Sequence, residues 1–235
     1  MMRIVLGGVR GTTPVSHPDF MRYGGATTSV LVENGAGARI VIDAGTGLRT
    51  LQPFLTPTET DAPVLMLFTH YHLDHLIGLP AFVPLYNPLW QVTFASPQRE
   101  GLSAGNVLER LMDKPFWPAP FRARQRFVVL PNTSDGEPLR HGPFEVRWCA
   151  VHHSNGCHAY RIDEPASGAS VVFATDLEWG ASSGTEREAL MRLCRTPRPA
   201  GVLIMDGQYD AAEAERFRGW GHSTWQETLQ VAAAA

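Results

Sequence analysis

Residues Val64 to Leu79 read V-L-M-L-F-T-H-Y-H-L-D-H-L-I-G-L. The first five, Val64 to Phe68, are all apolar and have the length of a buried strand, and His70, His72, Asp74 and His75 follow within six positions. Three of the chain's nine histidines fall in that short interval, a density that scattered surface residues do not produce. Imidazole and carboxylate together suit Zn(II) and its first-row neighbours. No helical face gathers side chains at i, i+2, i+4 and i+5, so the segment is read as a strand running into a ligand-bearing loop. Such a loop can feed two metals.

At 235 residues with 44% hydrophobic content, the chain is long enough to bury one substantial core, and one domain spanning residues 1–235 is expected. A formal net charge of −3 without a long basic run argues against broad electrostatic binding to nucleic acid and favours a small substrate. The three cysteines, Cys149, Cys157 and Cys194, lack paired-ligand spacing, and the start at Met1 lacks a long apolar signal region. A cytoplasmic protein without a membrane span is expected, with Cys157 a small buried residue.

Outward from the histidine loop, Arg3–Leu6 reads as a strand, followed by a turn-rich Gly7–Pro14 whose backbone can approach a ligand but which lacks the lysine and glycine spacing of a phosphate cradle. Thr28–Val32 and Arg39–Ile42 flank Asn34-Gly35-Ala36-Gly37, a hairpin signal. Asp43, at the end of the second run, is either the partner of a ligand histidine or a turn residue. Gln91–Ala95, Phe127–Leu130, Phe144–Val151, Ala159–Ile162, Val171–Ala174 and Val202–Met205 read as strands. Leu102–Met112, Glu186–Arg195 and Thr224–Ala235 read as helices, the last opened by a capping box at Thr224-Trp225-Gln226-Glu227. Lys114 to Pro120 holds too many prolines for regular structure. Phe116 and Trp117 there, with Tyr86 from the aromatic stretch Pro80–Trp90 that holds three prolines, are the candidates for a substrate wall.

The H-x-H-x-D-H loop after a strand resembles the metallo-β-lactamase fold superfamily, and further landmarks occur in that family's order. They are I-D-A-G-T-G at Ile42 to Gly47, His153, Asp176 in F-A-T-D, and G-H-S-T at Gly221 to Thr224. The likeness is strongest to the phosphodiesterase branch that includes ribonuclease Z, for which an acidic residue ending the penultimate strand, here Asp206, and the H-S-T triplet are characteristic. The family's ligand histidine precedes a Tyr-Arg pair by seven positions, which selects His153 over His152, since Tyr160-Arg161 lies seven positions beyond it. His17, His141 and His158 have no such support and are read as solvent-facing or as neighbours of ligands.

The resemblance implies an α/β (α+β) fold, the αββα metallo-β-lactamase sandwich. It implies one metal on His70, His72 and His153, a second on Asp74 and His75, and Asp176 bridging them: two divalent ions, Zn2+ first, with Mn2+ or Fe2+ as alternatives. The branch carries one more histidine after the helix that G-H-S-T opens, and continuation of the chain past Ala235 is expected on that basis. His222 is assigned to the scissile phosphate rather than to metal, a placement that a helix N-terminus favours independently. Asp74 and His222 are the catalytic candidates, and Tyr86, Trp117, Ser223 and Thr224 the substrate-binding ones.

Two such metals acidify a bound water toward a pKa of about 7 and neutralise phosphate charge, so the implied activity is binuclear phosphodiester hydrolysis. The branch's tRNA-processing members carry a long arm between the third-motif histidine and the bridging aspartate. Here only 23 positions separate His153 from Asp176, so tRNA is disfavoured and a cyclic nucleotide favoured; a homodimer is one option for the assembly, which the sequence does not fix. The alternatives carried forward are hydrolysis of another ester (lactone, thioester or sulfate), ribonuclease Z-type cleavage, and a non-enzymatic ligand-binding module with a half-filled metal site.

Overall fold

The two β-branched runs around the glycine-rich hairpin signal pair antiparallel, and the rest of a six-stranded sheet grows from them. A computed structural model describes residues 1–35, 37–55, 63–119, 121–134 and 136–235; Ala36 of the hairpin signal and Pro120 of the proline-rich loop lie outside the described residues. The chain divides into two compact units, Met1–Leu130 and Pro131–Ala235, each built on its own sheet.

In the first unit the strands are β1 (Arg3–Gly8), β2 (Ser29–Glu33), β3 (Arg39–Ile42), β4 (Val64–Leu67), β5 (Gln91–Pro97) and β6 (Arg124–Leu130), hydrogen-bonded in sequence order. β1, β2 and β3 are antiparallel neighbours, whereas β3, β4, β5 and β6 run parallel. Every residue of β3 and β4 is buried. That explains why β4, and Ile40–Ile42 of β3, read as unbroken apolar runs rather than alternating ones: a parallel strand is covered on both faces. Each such aliphatic side chain contributes roughly 1.5–3 kcal/mol on burial. Parallel pairing also has a positional consequence, for the C-terminal ends of β3 and β4 emerge at the same sheet edge, bringing Asp43 beside Thr69 and His70. Helix α1 (Leu48–Leu51) and helix α2 (Ala104–Leu111) lie in the same unit, α2 opened by a Ser103–Asn106 capping box.

The second unit holds β7 (Leu139–His141), β8 (Phe144–Val151), β9 (Cys157–Glu164), β10 (Ala169–Ala174) and β11 (Val202–Met205), in the order β11-β10-β9-β8-β7. β9 is buried along its whole length between antiparallel β8 and β10. Since β8 and β10 both oppose β9, and β11 runs parallel to β10, the C-terminal ends of β8, β10 and β11 share one edge. His153, Asp176 and Asp206 all follow those ends. Helices α3 (Gly184–Arg195), α4 (Ala211–Arg216) and α5 (Trp225–Ala234) lie in this unit, and all three open with a capping box. Thr224 and Glu227 supply that box for α5, as its sequence signature predicts. The fully buried guanidinium of Arg161 pairs with Asp163 and donates to the carbonyls of Leu193 and Cys194, satisfying orphan carbonyls at the end of α3.

The mixed α/β class is thus observed, with two sheets and helices. β7, α1 and α4, of three, four and six residues, were not legible beforehand. All three cysteines are buried and unbridged. His158 differs from its expected solvent-facing or ligand-neighbouring place: it is buried in β9, with Nε2 on the Asn132 carbonyl at 2.9 Å. Among the described residues no helix is long and apolar enough to cross a membrane.

Candidate metal centre

In the first unit the histidine loop leaves β4 and folds into a single 3-10 turn, Leu73–His75. The turn brings the rings together: His70 lies 4.4 Å from His72 and 4.3 Å from His75, centroid to centroid. His75 Nδ1 sits 2.8 Å from Asp43 Oδ2, and both side chains are fully buried. The same carboxylate accepts from the Thr69 amide and the Thr69 hydroxyl, both at 2.8 Å, and that hydroxyl lies 3.0 Å from His70 Nδ1. Asp43 is therefore the partner of a histidine, not a mere turn residue. Its φ of +59° is held by these bonds and by its amide on the Leu67 carbonyl. Burial pushes the Asp43 carboxyl above the usual carboxylate range, opposed by His75 and Thr69.

Asp74 Oδ2 lies 3.5 Å from His75 Nε2 and accepts from the Thr12 amide at 3.0 Å. The turn-rich N-terminal segment thus reaches a ligand candidate with its backbone, through a Thr12 φ of +68°. The loop is also clamped from below. A Cβ on Gly78 would meet the Gly45 carbonyl oxygen at 2.0 Å and one on Gly45 the Asp74 carbonyl oxygen at 2.4 Å, so both positions require glycine for close backbone approach.

In the second unit His153 is buried, and its Nδ1 donates to the Gly221 carbonyl at 2.7 Å. That bond assigns the proton to Nδ1 and leaves Nε2, 3.9 Å from Asp176 Oδ2, as the nitrogen for a metal. His152 points elsewhere, its ring 44% exposed and 3.7 Å from Glu186. His222 Nδ1 lies 2.8 Å from Asp206 Oδ2. Asp206 is buried and accepts as well from the amides of Leu177 and Gln208, both at 3.1 Å. Its carboxyl is raised by burial, an effect countered by His222 and reinforced by the charge of Asp176. Ligand atoms of Asp176, Asp206 and His222 lie within 4.8 Å of one another. Both Asp206 oxygens accept hydrogen bonds, and the bond to His222 Nδ1 leaves the Nε2 of that ring on the side away from Asp206.

Glu178 carried no sequence signal. It accepts from the Gly219 amide at 3.0 Å and the Gly221 amide at 2.9 Å, one through each carboxylate oxygen. Ser223 adds a second clasp, donating to the Leu177 carbonyl at 2.6 Å and accepting from the Trp179 amide at 3.0 Å. Residues 177–179 therefore hold residues 219–223, which in turn orient His153 and present His222. The Thr224 hydroxyl is engaged in capping α5 through Glu227. At the candidate substrate wall, the Tyr86 hydroxyl donates to the Pro80 carbonyl at 2.6 Å, Trp117 is half-buried and Phe116 is 75% exposed.

The donor set fits hard-to-borderline divalent ions: His70, His75 and His153 are buried imidazoles whose Nδ1 meets a hydroxyl, a carboxylate and a carbonyl respectively, with carboxylates alongside. His70, His72, Asp74 and His75 are the first unit's candidates, and His153 and Asp176 the second's.

The beta-lactamase superfamily domain model matches residues 38–235. No protein of curated function matches the sequence significantly. Among solved structures, the short form of human tRNase Z superposes with a TM-score of 0.71 at 18% identity, over 100% of this chain and 88% of that one. The metallo-beta-lactamase fold protein YhfI of Bacillus subtilis gives 0.65 at 17%, over 98% and 81%, and yeast PDE1 gives 0.65 at 13%, over 99% and 82%. These likenesses show the fold, and the family model covers most of the sequence. The chain belongs to the beta-lactamase superfamily domain family, and its clustered histidines and carboxylates fit that superfamily's class of metal-dependent hydrolases.

Proposed function

We propose that the protein is a binuclear metal-dependent phosphodiesterase acting on a small phosphodiester, a cyclic nucleotide first. In this reading the two donor sets serve one centre, with His70, His72 and His153 for one ion, Asp74 and His75 for the other, and Asp176 shared. Zinc is the favoured ion. When bound, such ions acidify a water and offset phosphate charge. The chain's own residues do the rest. Asp74, steadied by the Thr12 amide and by His75, orients the attacking water and takes up its proton. His222, oriented by Asp206, donates from Nε2 to the departing oxygen or stabilises charge on the phosphate.

The observation that carries the phosphodiester over other esters is the Asp206–His222 pair at 2.8 Å, set immediately before the N-terminus of a ten-residue helix, α5. A positioned imidazole there suits an anionic tetrahedral group better than a neutral acyl group. Neighbours named tRNase Z and PDE1 share the fold. Small substrates are favoured over tRNA because the interval from His153 to Asp176 holds only β9, β10 and a tight turn in which the Gly168 amide donates to the Glu164 carbonyl. Without an arm to hold a distant part of the substrate, remote binding energy is not recruited.

The test is competition in one tube between cyclic mononucleotides and a precursor tRNA, over a range of salt. Higher kcat/KM on the cyclic nucleotides with shallow salt dependence is expected. Preferred cleavage of the tRNA at its 3′ trailer with steep salt dependence would replace the small-nucleotide reading. Turnover of carboxylic esters alone would sink both.

A further inference from the structure

An exposed aromatic side chain held in place beside a polar site offers a flat apolar face on which a ligand ring can pack. Trp220 is such a residue. Its side chain is 60% exposed, and it stands two positions before His222. Three ring contacts connect the two residues. Trp220 meets Phe217 edge-on at 5.3 Å, Phe217 stacks on Tyr209 at 5.3 Å, and Tyr209 meets His222 edge-on at 5.8 Å. Tyr209 is buried, so the exposed end of the series rests on a packed one. Arg216 stacks over Phe217 at 5.1 Å and adds a cation beside it.

The turn that carries the indole is built to stay in place. The Trp220 amide donates to the Phe217 carbonyl at 3.0 Å. The amides on either side, of Gly219 and Gly221, both donate to Glu178, and the two glycines take φ of +84° and +87°. Ordering cost is therefore met before any ligand arrives, which is the condition under which a single flat contact yields useful affinity. A flat, electron-rich, exposed face held at a fixed offset from a phosphate-handling histidine matches a phosphate ester that carries a flat heteroaromatic ring. An aliphatic ester has no flat ring to stack there.

We infer that Trp220, supported by Phe217 and Tyr209 on the Glu178-held turn, is the stacking platform for the nucleobase of the substrate. The inference rests on the phosphodiesterase reading and adds the recognition element that distinguishes nucleotides from base-free diesters. Stacking on an indole tolerates any base, so the platform selects for a base without selecting which one.

Two measurements test it. Trp220→Ala and Trp220→Phe are compared with the unaltered protein on adenosine 3′,5′-cyclic monophosphate and on a ribose cyclic phosphate lacking the base. Trp220→Ala is expected to raise KM for the nucleotide roughly 5- to 100-fold, the range for loss of one base–aromatic stack, and to leave the base-free diester unchanged. Trp220→Phe should recover most of the loss. Equal effects on both substrates, or on neither, overturn the inference while leaving the phosphodiesterase reading intact. If the unaltered protein cleaves neither compound, that reading fails, and the platform is still decided by binding. Adenosine 5′-monophosphate, but not ribose 5-phosphate, should quench tryptophan fluorescence, with the quench lost in Trp220→Phe and kept in Trp225→Phe. An undiminished quench in Trp220→Phe overturns the inference.

Discussion

Glu178 accepts from the amide of Gly221 at 2.9 Å, and the carbonyl of that same glycine accepts from His153 at 2.7 Å. One residue thus relays the position of an acidic side chain to a candidate metal ligand. Glu178→Gln retains shape but offers one carbonyl oxygen where two amides must be met. Metal affinity is expected to fall about 10-fold or more, as for other residues that orient a ligand histidine. Chelator competition measures it, and wild-type affinity in Glu178→Gln would show that the loop holds itself without the carboxylate.

Gly221→Ala probes the same relationship sterically. A Cβ there would lie 2.2 Å from His153 Nδ1, and the residue's φ is +87°. Strain of this kind costs on the order of 1–3 kcal/mol, so a fall in melting temperature of about 2–4 °C per kcal/mol is expected. It should be accompanied by a changed His153 ring environment in NMR spectra. An unaltered melting temperature would contradict the described turn.

Asp43→Ala removes the carboxylate that meets His75 and Thr69 inside the first unit. Each buried polar group left unsatisfied costs about 1–3 kcal/mol, and metal affinity should fall roughly 10- to 100-fold. Calorimetry with and without added zinc separates the two losses. A variant that loses stability but binds zinc normally would show that the Asp43–His75 bond serves only the fold.

His222→Ala separates proton transfer from metal binding. Elemental analysis should find the same metal content as in the unaltered protein, while turnover of a phosphodiester falls roughly 100-fold or more. Asp74→Ala should lose both. Loss of an ion in His222→Ala with the fold intact would make His222 a ligand, consistent with the proximity of Asp176, Asp206 and His222.

What the sequence determined by itself was everything local. Val64–Leu67 announced a doubly covered strand because burial on both faces demands an unbroken apolar run. The four ligand candidates after it were legible because a 3-10 turn gathers residues that are already neighbours along the chain. The capping box at Thr224 is equally a matter of three-residue spacing. Only the tertiary structure decided the roles that depend on partners far away in sequence. Asp43 could be a turn residue or a histidine's partner until the parallel register of β3 and β4 placed it against Thr69 and His75. Glu178 had no pattern at all, because its bonds join residues 41 and 43 positions apart. The spacing to Tyr160-Arg161 had already singled out His153 from its neighbour His152, but the orientation of its ring is set by the Gly221 carbonyl, 68 positions away. Covalent neighbourhood specifies strands, turns and caps, whereas the orientation of an imidazole depends on whichever carbonyl or carboxylate the folded chain brings to its second nitrogen.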